Sequence, residues 1–501
     1  MEGINFSAIE KKWQEKWEKE KVFKTKEKGK KFYILEMFPY PSASGLHMGH
    51  AFNYTIGDIY ARFKRMKGFD VLYPMGYDSF GLPAENAAIK AKTEPKKYTE
   101  KAIKNFISQQ KSLGLSYDWS REIETHKPEY YKWNQFFFLQ FLKAGLAYRK
   151  KAPVNFCPKC STVLANEQVH NGKCWRHPKQ DVEIRHLEQW FLKITDYAEE
   201  LLNLKKLDWP EKIKIMQKNW IGKSYGTEII FKINNKPWKI FTTRPDTLFG
   251  VTFMVVSSQH PRLMEIVTKE QKAKVKAFLK KIKSTSNKEL EKQGVFTGSY
   301  AEHPLTKEKI PIWAGNFVLA DYGSGMVMAV PAHDQRDYEF AKKYKIPIKE
   351  VIKGGDIKKQ AYTGQGILIN SGKFSGLQNE KAKQEITKEL IKRKLGKNTI
   401  QYKLRDWLIS RQRYWGTPIP VIHCKKCGIQ PVPEKDLPVK LPEKVKFGSG
   451  NPLESAKEWL NVKCPKCGGK AKRETDTMDT FYDSSWYFLR YIAVSYTHLR
   501  A

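Results

Sequence analysis

Residues 31–50 read KFYILEMFPYPSASGLHMGH, and this stretch decides the fold. KFYILEMF (31–38) is a short apolar run with little alternation, the pattern of a strand buried on both faces. It ends in the turn cluster Pro39-Tyr40-Pro41-Ser42-Ala43-Ser44-Gly45. A helical pattern follows from His47 to Met66, and Gly68 stands just past its end. DVLYPMG (70–76) is a second buried strand. Strand, turn, helix and strand within about 50 residues form a βαβ unit, which implies a parallel sheet.

Working outward, residues 6–28 read as a charged surface helix with Trp13 and Trp17 four apart. From 222 to 402 the texture changes: strand-like runs GTEIIFKI, WKIFTTR and GVTFMVVSS alternate with charged helical segments. This is the pattern of a separate α+β module inserted into the first. LRDWLISRQRYWG (404–416) then resumes an aromatic-rich texture.

The chain's 501 residues exceed what one core organises, so several domains are expected. Lys and Arg number 90 against 53 Asp and Glu, a formal charge of +37. That surplus points to a polyanionic partner such as nucleic acid, although a lysine-rich proteome with solvated faces accounts for it equally. The start, MEGINFSAIEKKWQEKWEKEK, has no apolar core of a signal peptide, and no apolar run is long enough to cross a membrane. A cytoplasmic protein without membrane partners is the expectation.

Seven cysteines occur, six of them in C-x-x-C pairs. An odd count without a secretory signal argues against a disulfide framework and for metal. Cys424/Cys427 and Cys464/Cys467 each run into glycine, the turn of a zinc knuckle, and together offer four thiolates to one tetrahedral zinc. Cys157, Cys160, Cys174 and His177 form a second, Cys3His set. Four protein ligands leave no open position, so both sites are expected to be structural. Reduced knuckles that hold their shape without metal are the competing reading.

HMGH (47–50) stands where a strand's loop enters a helix. Ligands bind at the carboxyl ends of parallel strands, and a helix N-terminus offers N–H groups and positive dipole to phosphate. His47 and His50 are three apart and share a face of the first turn. Gly49 leaves room for a base or ribose. Taken alone, two surface histidines at a helix start explain the motif as well.

The segments around it add more. EMFPYPS precedes HMGH, NYTIGD follows it, and DSFGLPAENAA (78–88) follows the second strand. With these the sequence resembles the leucyl branch of the class I aminoacyl-tRNA synthetases. The resemblance implies that His47 and His50 contact ATP phosphates, with Mg2+, and that Gly49 lies under the nucleotide. Asp78 would hold the leucine ammonium, while Phe38 and Tyr40 would line the leucine pocket or serve as ordinary core. The Ala43-Ser44 spacer lengthens the loop relative to the family and would reshape it above ATP.

Thr242-Thr243-Arg244-Pro245-Asp246-Thr247 and the run Gly323-Ser324-Gly325 to His333-Asp334-Gln335-Arg336-Asp337 resemble the leucyl editing domain. By that likeness Asp337 grips the amino group of a mischarged residue, with Asp334 and the Met328 backbone nearby. Thr242 and Thr243 hold the ester and ribose, Arg244 contacts the tRNA end, and Thr247 crowds leucine out. A strand end followed by a Pro-Asp turn is the plainer reading of TTRPDT. A second sieve is physically motivated, since one methylene is worth only about 1–3 kcal/mol. With no Ser-His-Asp or Cys-His arrangement, a positioned water is the expected nucleophile.

The resemblance runs from about residue 6 to 493, through RDWLISRQRYWG and ETDTMDTFYDSSWYFLRY. It implies a Rossmann-like catalytic domain (1–155, resumed at 403–423 and 473–493) and a zinc hairpin (156–185). It further implies a connection (186–221), an editing domain (222–402) and a zinc ribbon (424–472). The expected activity is leucine activation by ATP and transfer to tRNA(Leu) with hydrolytic editing, by a monomer. No KMSKS-like string occurs, and SYTHLRA replaces the continuation expected after FLRY. A truncated chain with a non-native tail at 494–501, incomplete for aminoacylation, is therefore anticipated. Two alternatives stand beside it: an editing-only deacylase or tRNA-end binding fragment, and an isoleucyl or valyl relative.

Overall fold

The computed structural model describes residues 4–26, 28–41, 43, 45–159, 162–164, 169–170, 172–175, 177–283, 292–318, 324–447 and 450–493. Cys160, Ser42, Ser44, Gly323 and the 494–501 tail lie outside them. The chain divides into two compact units: 1–165, 185–192 and 407–501 form one, and 166–184 with 193–406 form the other.

In the first unit, helix α1 (Phe6–Glu20) is shorter than its charge pattern suggests, because Lys21 turns left-handed (φ 52°) and closes it. Trp17 then packs edge-on to Phe23, ring centroids 5.5 Å apart. Strand β1 (Lys31–Tyr33) pairs in parallel with β2 (Asp70–Leu72), in the register Lys31↔Asp70 to Tyr33↔Leu72, and helix α2 (Met48–Met66) connects them. The βαβ unit is thus present. The parallel ladder is shorter than the apolar runs and recurs as a second short pair, Gly76–Tyr77 beside Ile123–Glu124.

The three quoted segments hold one another. Gly57 of NYTIGD is required by proximity: a Cβ there would lie 1.8 Å from the Glu36 Oε1 of EMFPYPS. Asp58 binds the Ser116 N–H at 2.6 Å and the Arg62 guanidinium at 2.7 Å, stitching α2 to the loop beyond. Glu85 of DSFGLPAENAA accepts the backbone N–H groups of Tyr414 and Trp415, which anchors the RQRYWG segment. The core beneath gathers Ile34, Phe38, Tyr54, Tyr73, Tyr77, Phe106 and Tyr491. The other face of α2 is apolar but open: Met48, Phe52, Ile56, Ile59, Phe63 and Met66 follow one another at helical spacing and are all exposed.

A four-stranded ribbon completes this unit, in the order 428–431, 421–424, 470–473, 461–463.

The second unit is α+β. Helix α3 (Glu211–Ile221) leads into strands β3 (Ser224–Ile233), β4 (Lys236–Thr242), β5 (Phe253–Ser257), β6 (Gly294–Glu302), β7 (Lys309–Gly315) and β8 (Met326–Ala329). Helices α4 (Gln335–Tyr344) and α5 (Asn379–Lys392) and strand β9 (Gly396–Gln401) follow. The sheet runs β4-β3-β6-β7-β5-β8, with β9 also on β3; β5 and β7 are parallel and the other pairs antiparallel. Ile229, Phe231, Ile240, Met254, Ile312, Ile386 and Leu390 fill its core. Among the described residues no helix is long and apolar enough to cross a membrane.

Candidate functional site

His47 is the N-cap of α2 and His50 its third residue. Each Nδ1 accepts the other's backbone N–H at 3.3 Å, a reciprocal capping box built from two imidazoles. The rings stack with centroids 3.7 Å apart. Gly49 has a local reason that the sequence hid, since a Cβ there would come within 3.0 Å of the His47 ring. Burial and the neighbouring His47 lower the His50 pKa, which favours the neutral ring that capping needs. The remaining free N–H groups of the first turn, with the exposed His47 edge, present donors where a phosphate can sit.

Asp78 lies just past the Gly76–Tyr77 strand and is 1% exposed. Its backbone N–H binds the Pro39 carbonyl at 3.0 Å, which brings the DSFGLPAENAA loop against the PYP turn and Tyr40. Its Oδ1 receives the Thr125 and Thr480 hydroxyls at 3.5 Å, whereas Oδ2 has no hydrogen-bond partner. Burial pushes the carboxyl up to about 7, with the Tyr40 and Ser484 hydroxyls pulling it back. A buried carboxylate oxygen left without a partner is costly, and a ligand cation is the group that would relieve it. Phe38 is buried and stacks on Tyr487, centroids 4.3 Å apart and 5° from parallel, so it is part of the core. Tyr487, Ser484 and Thr480 all come from TFYDSSWY, a segment whose likeness was visible in sequence but whose approach to Asp78 was not. Behind it Asp483 is fully buried; its Oδ1 accepts from Asn134 at 2.5 Å and Thr417 at 2.8 Å.

In the second unit TTRPDT ends β4 and becomes a 3-10 turn, Pro245–Gly250. Thr242 Oγ1 accepts the Arg244 N–H at 3.0 Å, Thr243 is exposed, and the Thr247 hydroxyl donates to the Arg244 carbonyl at 2.9 Å. Arg244 forks onto Asp246 at 2.9–3.1 Å, and Asn379 at the start of α5 donates to the same carboxylate at 2.8 Å. Asp246 and Asn379 therefore aim Arg244, and neither role was legible from the strand pattern.

Met328 is buried in β8 opposite Met254. Asp334 caps α4 by accepting the Asp337 N–H at 3.0 Å. Asp337 is 2% exposed; its Oδ2 accepts the Val330 N–H at 2.9 Å, and Oδ1 accepts no hydrogen bond, with Arg336 Nε 3.6 Å away. Burial, then Asp334, raises it to about 7. His333, directly before Asp334, is a brace: Nε2 accepts the Val351 and Ile352 N–H groups while Nδ1 donates to the Tyr362 carbonyl at 2.9 Å. Both nitrogens are committed to backbone, which excludes it as a free base.

The Sγ atoms of Cys424, Cys427, Cys464 and Cys467 all lie within 4.8 Å of one another, Cys424 and Cys467 at 3.7 Å. Thiolates around one zinc at about 2.3 Å stand roughly 3.8 Å apart, so the four fit that ion. Gly428 and Gly468, both at φ 70°, turn the two knuckles, and the Cys427 N–H donates to Cys424 Sγ. Of the other set, Cys157 closes the strand Ala147–Cys157 and is buried. Cys174 Sγ and His177 Nδ1 are 3.8 Å apart.

Comparison with known proteins agrees with this architecture. Residues 12–293 and 375–497 match the family described as tRNA synthetases class I (I, L, M and V). Residues 218–391 match the family described as leucyl-tRNA synthetase, editing domain. The leucine–tRNA ligase of Thermotoga maritima is 56% identical over 97% of this chain, which spans 61% of that protein. The leucine–tRNA ligase subunit alpha of Aquifex aeolicus is 53% identical over 98% of the chain and is 84% covered. A crystal structure of an Agrobacterium radiobacter LeuRS in ternary complex with tRNA and LeuAMS superposes with a TM-score of 0.80 at 42% identity, covering 96% of this chain and 59% of that one. The isoleucyl and valyl alternative gives way to these leucyl matches, and the chain belongs to the class I tRNA synthetases, in the leucine–tRNA ligase family.

Proposed function

We propose that the chain carries the leucine- and ATP-binding parts and the editing site of a leucine–tRNA ligase: ATP and leucine give leucyl-adenylate, tRNA(Leu) receives the leucine, and mischarged ends are hydrolysed. The observation that carries this reading is Asp78, a buried carboxylate with one unpartnered oxygen beside Phe38, Tyr40 and Tyr487. An ammonium supplies the missing charge and donors, and an aliphatic side chain suits the aromatic walls. His47, Gly49 and His50 take the ATP phosphates at the α2 N-terminus, where N–H groups stabilise the charge that builds on phosphorus. Mg2+ accompanies ATP.

In the editing site Asp337 holds the amino group through its open Oδ1, with Asp334 and Met328 beside it. Thr242 and Thr243 bind ribose and ester, Thr247 limits pocket depth, and Arg244 meets the RNA end. A water attacks the ester. The four ribbon thiolates hold a structural zinc, which would cross-link the two knuckles. A second zinc at Cys157, Cys160, Cys174 and His177 rests on their spacing and the Cys174–His177 approach. We read the protein as a cytoplasmic monomer with a catalytic domain (1–155, 403–423 and 473–493), a zinc hairpin (156–185), a connection (186–221), an editing domain (222–402) and a zinc ribbon (424–472).

The chain spans 61% of the length of the Thermotoga maritima relative. A second reading is that it acts only on tRNA ends. Leucine-dependent ATP–pyrophosphate exchange by the purified chain separates the two. Exchange supports the full reading, whereas deacylation of mischarged tRNA(Leu) without exchange supports the second.

A further inference from the structure

Helix α3 leads into the sheet of the second unit with little buried beneath it. Ile221 is its one fully buried residue, while Ile213, Met216 and Trp220, at spacings of three and four, form an exposed stripe. Trp220 is 73% exposed. Three residues after it the Lys223 ammonium sits 5.0 Å over the Tyr225 ring and bonds Glu199 at 2.8 Å. Tyr225 is 69% exposed. Residues 205–225 hold six lysines and two acids, Asp208 and Glu211.

The strand register gives this surface a direction. Thr227 of β3 pairs with Thr242 of β4, so Tyr225, two residues back, lies at the end of the ladder from which Arg244 emerges. Aromatic faces open to water and interleaved with lysines are what unpaired bases and their phosphates need; a duplex hides its base faces.

We propose that Trp220 and Tyr225, with Lys212 bordering the helix stripe, form a platform for the unpaired strand of an RNA on its way to Arg244. This rests on the tRNA-end reading above and deepens it. The bases stack on the two rings, the lysines neutralise the backbone, and the strand's 3′ end is handed to the Thr242–Arg244 turn.

The test uses a fluorescein-labelled single-stranded RNA of roughly 12 nucleotides ending in CCA, and a blunt RNA duplex of equal length, by anisotropy at about 50 and 200 mM salt. The single strand should bind at least tenfold tighter than the duplex. The double variant Trp220→Ala/Tyr225→Ala should weaken single-strand binding tenfold or more with the duplex unchanged, and Lys212→Glu should flatten the salt dependence. Asp337→Ala should keep full RNA binding while losing deacylation; a chain that binds RNA through this platform yet never deacylates sinks the hydrolysis reading alone. Equal affinity for both RNAs, binding of neither, or an unchanged double variant overturns the proposal. So does a double variant that alters only self-association in sedimentation, which would make the face a protein contact. Both aromatics are exposed, so the variants' melting temperatures should match the parent and confirm folding.

Discussion

The imidazoles of His47 and His50 lie face to face, 3.7 Å apart and 17° from parallel, and each caps the other's backbone N–H. Both rings accept through Nδ1, so protonation there removes an acceptor from the cap. Because the His50 pKa is lowered on folding, the folded chain binds fewer protons than the unfolded one near pH 6, and this contribution to stability is lost as the pH falls. In proton-detected titration His50 should titrate below the ordinary imidazole range, and its midpoint should move upward with ATP. A midpoint indifferent to ATP would detach the pair from phosphate binding.

Asp78 supplies the opposite sign. Its folded pKa of about 7 is above the usual carboxylate value, so the folded chain binds more protons between about pH 4 and 7, and stability falls as the pH rises through that window. Asp78→Asn should flatten this part of the melting-temperature profile and raise the melting temperature at pH 7.5. It should also weaken leucine binding by ten- to a hundredfold, the equivalent of about 1.5–3 kcal/mol for a charged hydrogen bond. A variant that binds leucine normally in calorimetry removes Asp78 from the pocket.

Asp337→Asn keeps the size of the side chain and removes its charge. Deacylation of mischarged tRNA should drop at least a hundredfold, while the melting temperature at pH 7.5 stays level or rises, since a carboxyl held at about 7 by burial is relieved. His333→Ala should do the reverse: it strips three backbone partners and should cost about 2–4 kcal/mol in denaturant unfolding.

Metal analysis should find zinc bound at the ribbon, and Cys464→Ser should remove one equivalent. Chelation should loosen 421–473 in hydrogen exchange ahead of the sheet of the second unit, because the knuckles depend on the ion and the sheet does not.

Much of this was open to reading in the sequence because it rests on local chemistry. The βαβ unit follows from two apolar runs and a glycine stop, and the ribbon from cysteine spacing. What escaped depends on chain segments that meet across long separations. Tyr487 reaches Phe38 across the whole first unit, and Asn379 reaches Asp246 across the inserted one. His333 looked like part of a chemical motif and is a brace, because burial and three backbone partners leave its ring nothing to exchange. Helix α1 ended early for a reason no periodicity contains, the left-handed turn at Lys21.

The open stripe of α2 begins and ends in methionine, Met48 at 82% and Met66 at 85% exposure. Thioethers so placed are the first to meet peroxide, and their sulfoxides would break no packing. The helix therefore carries its own footprinting reagent. The rate at which these two methionines oxidise, beside that of the buried Met75 and Met254, reports whether anything has settled over the stripe between them.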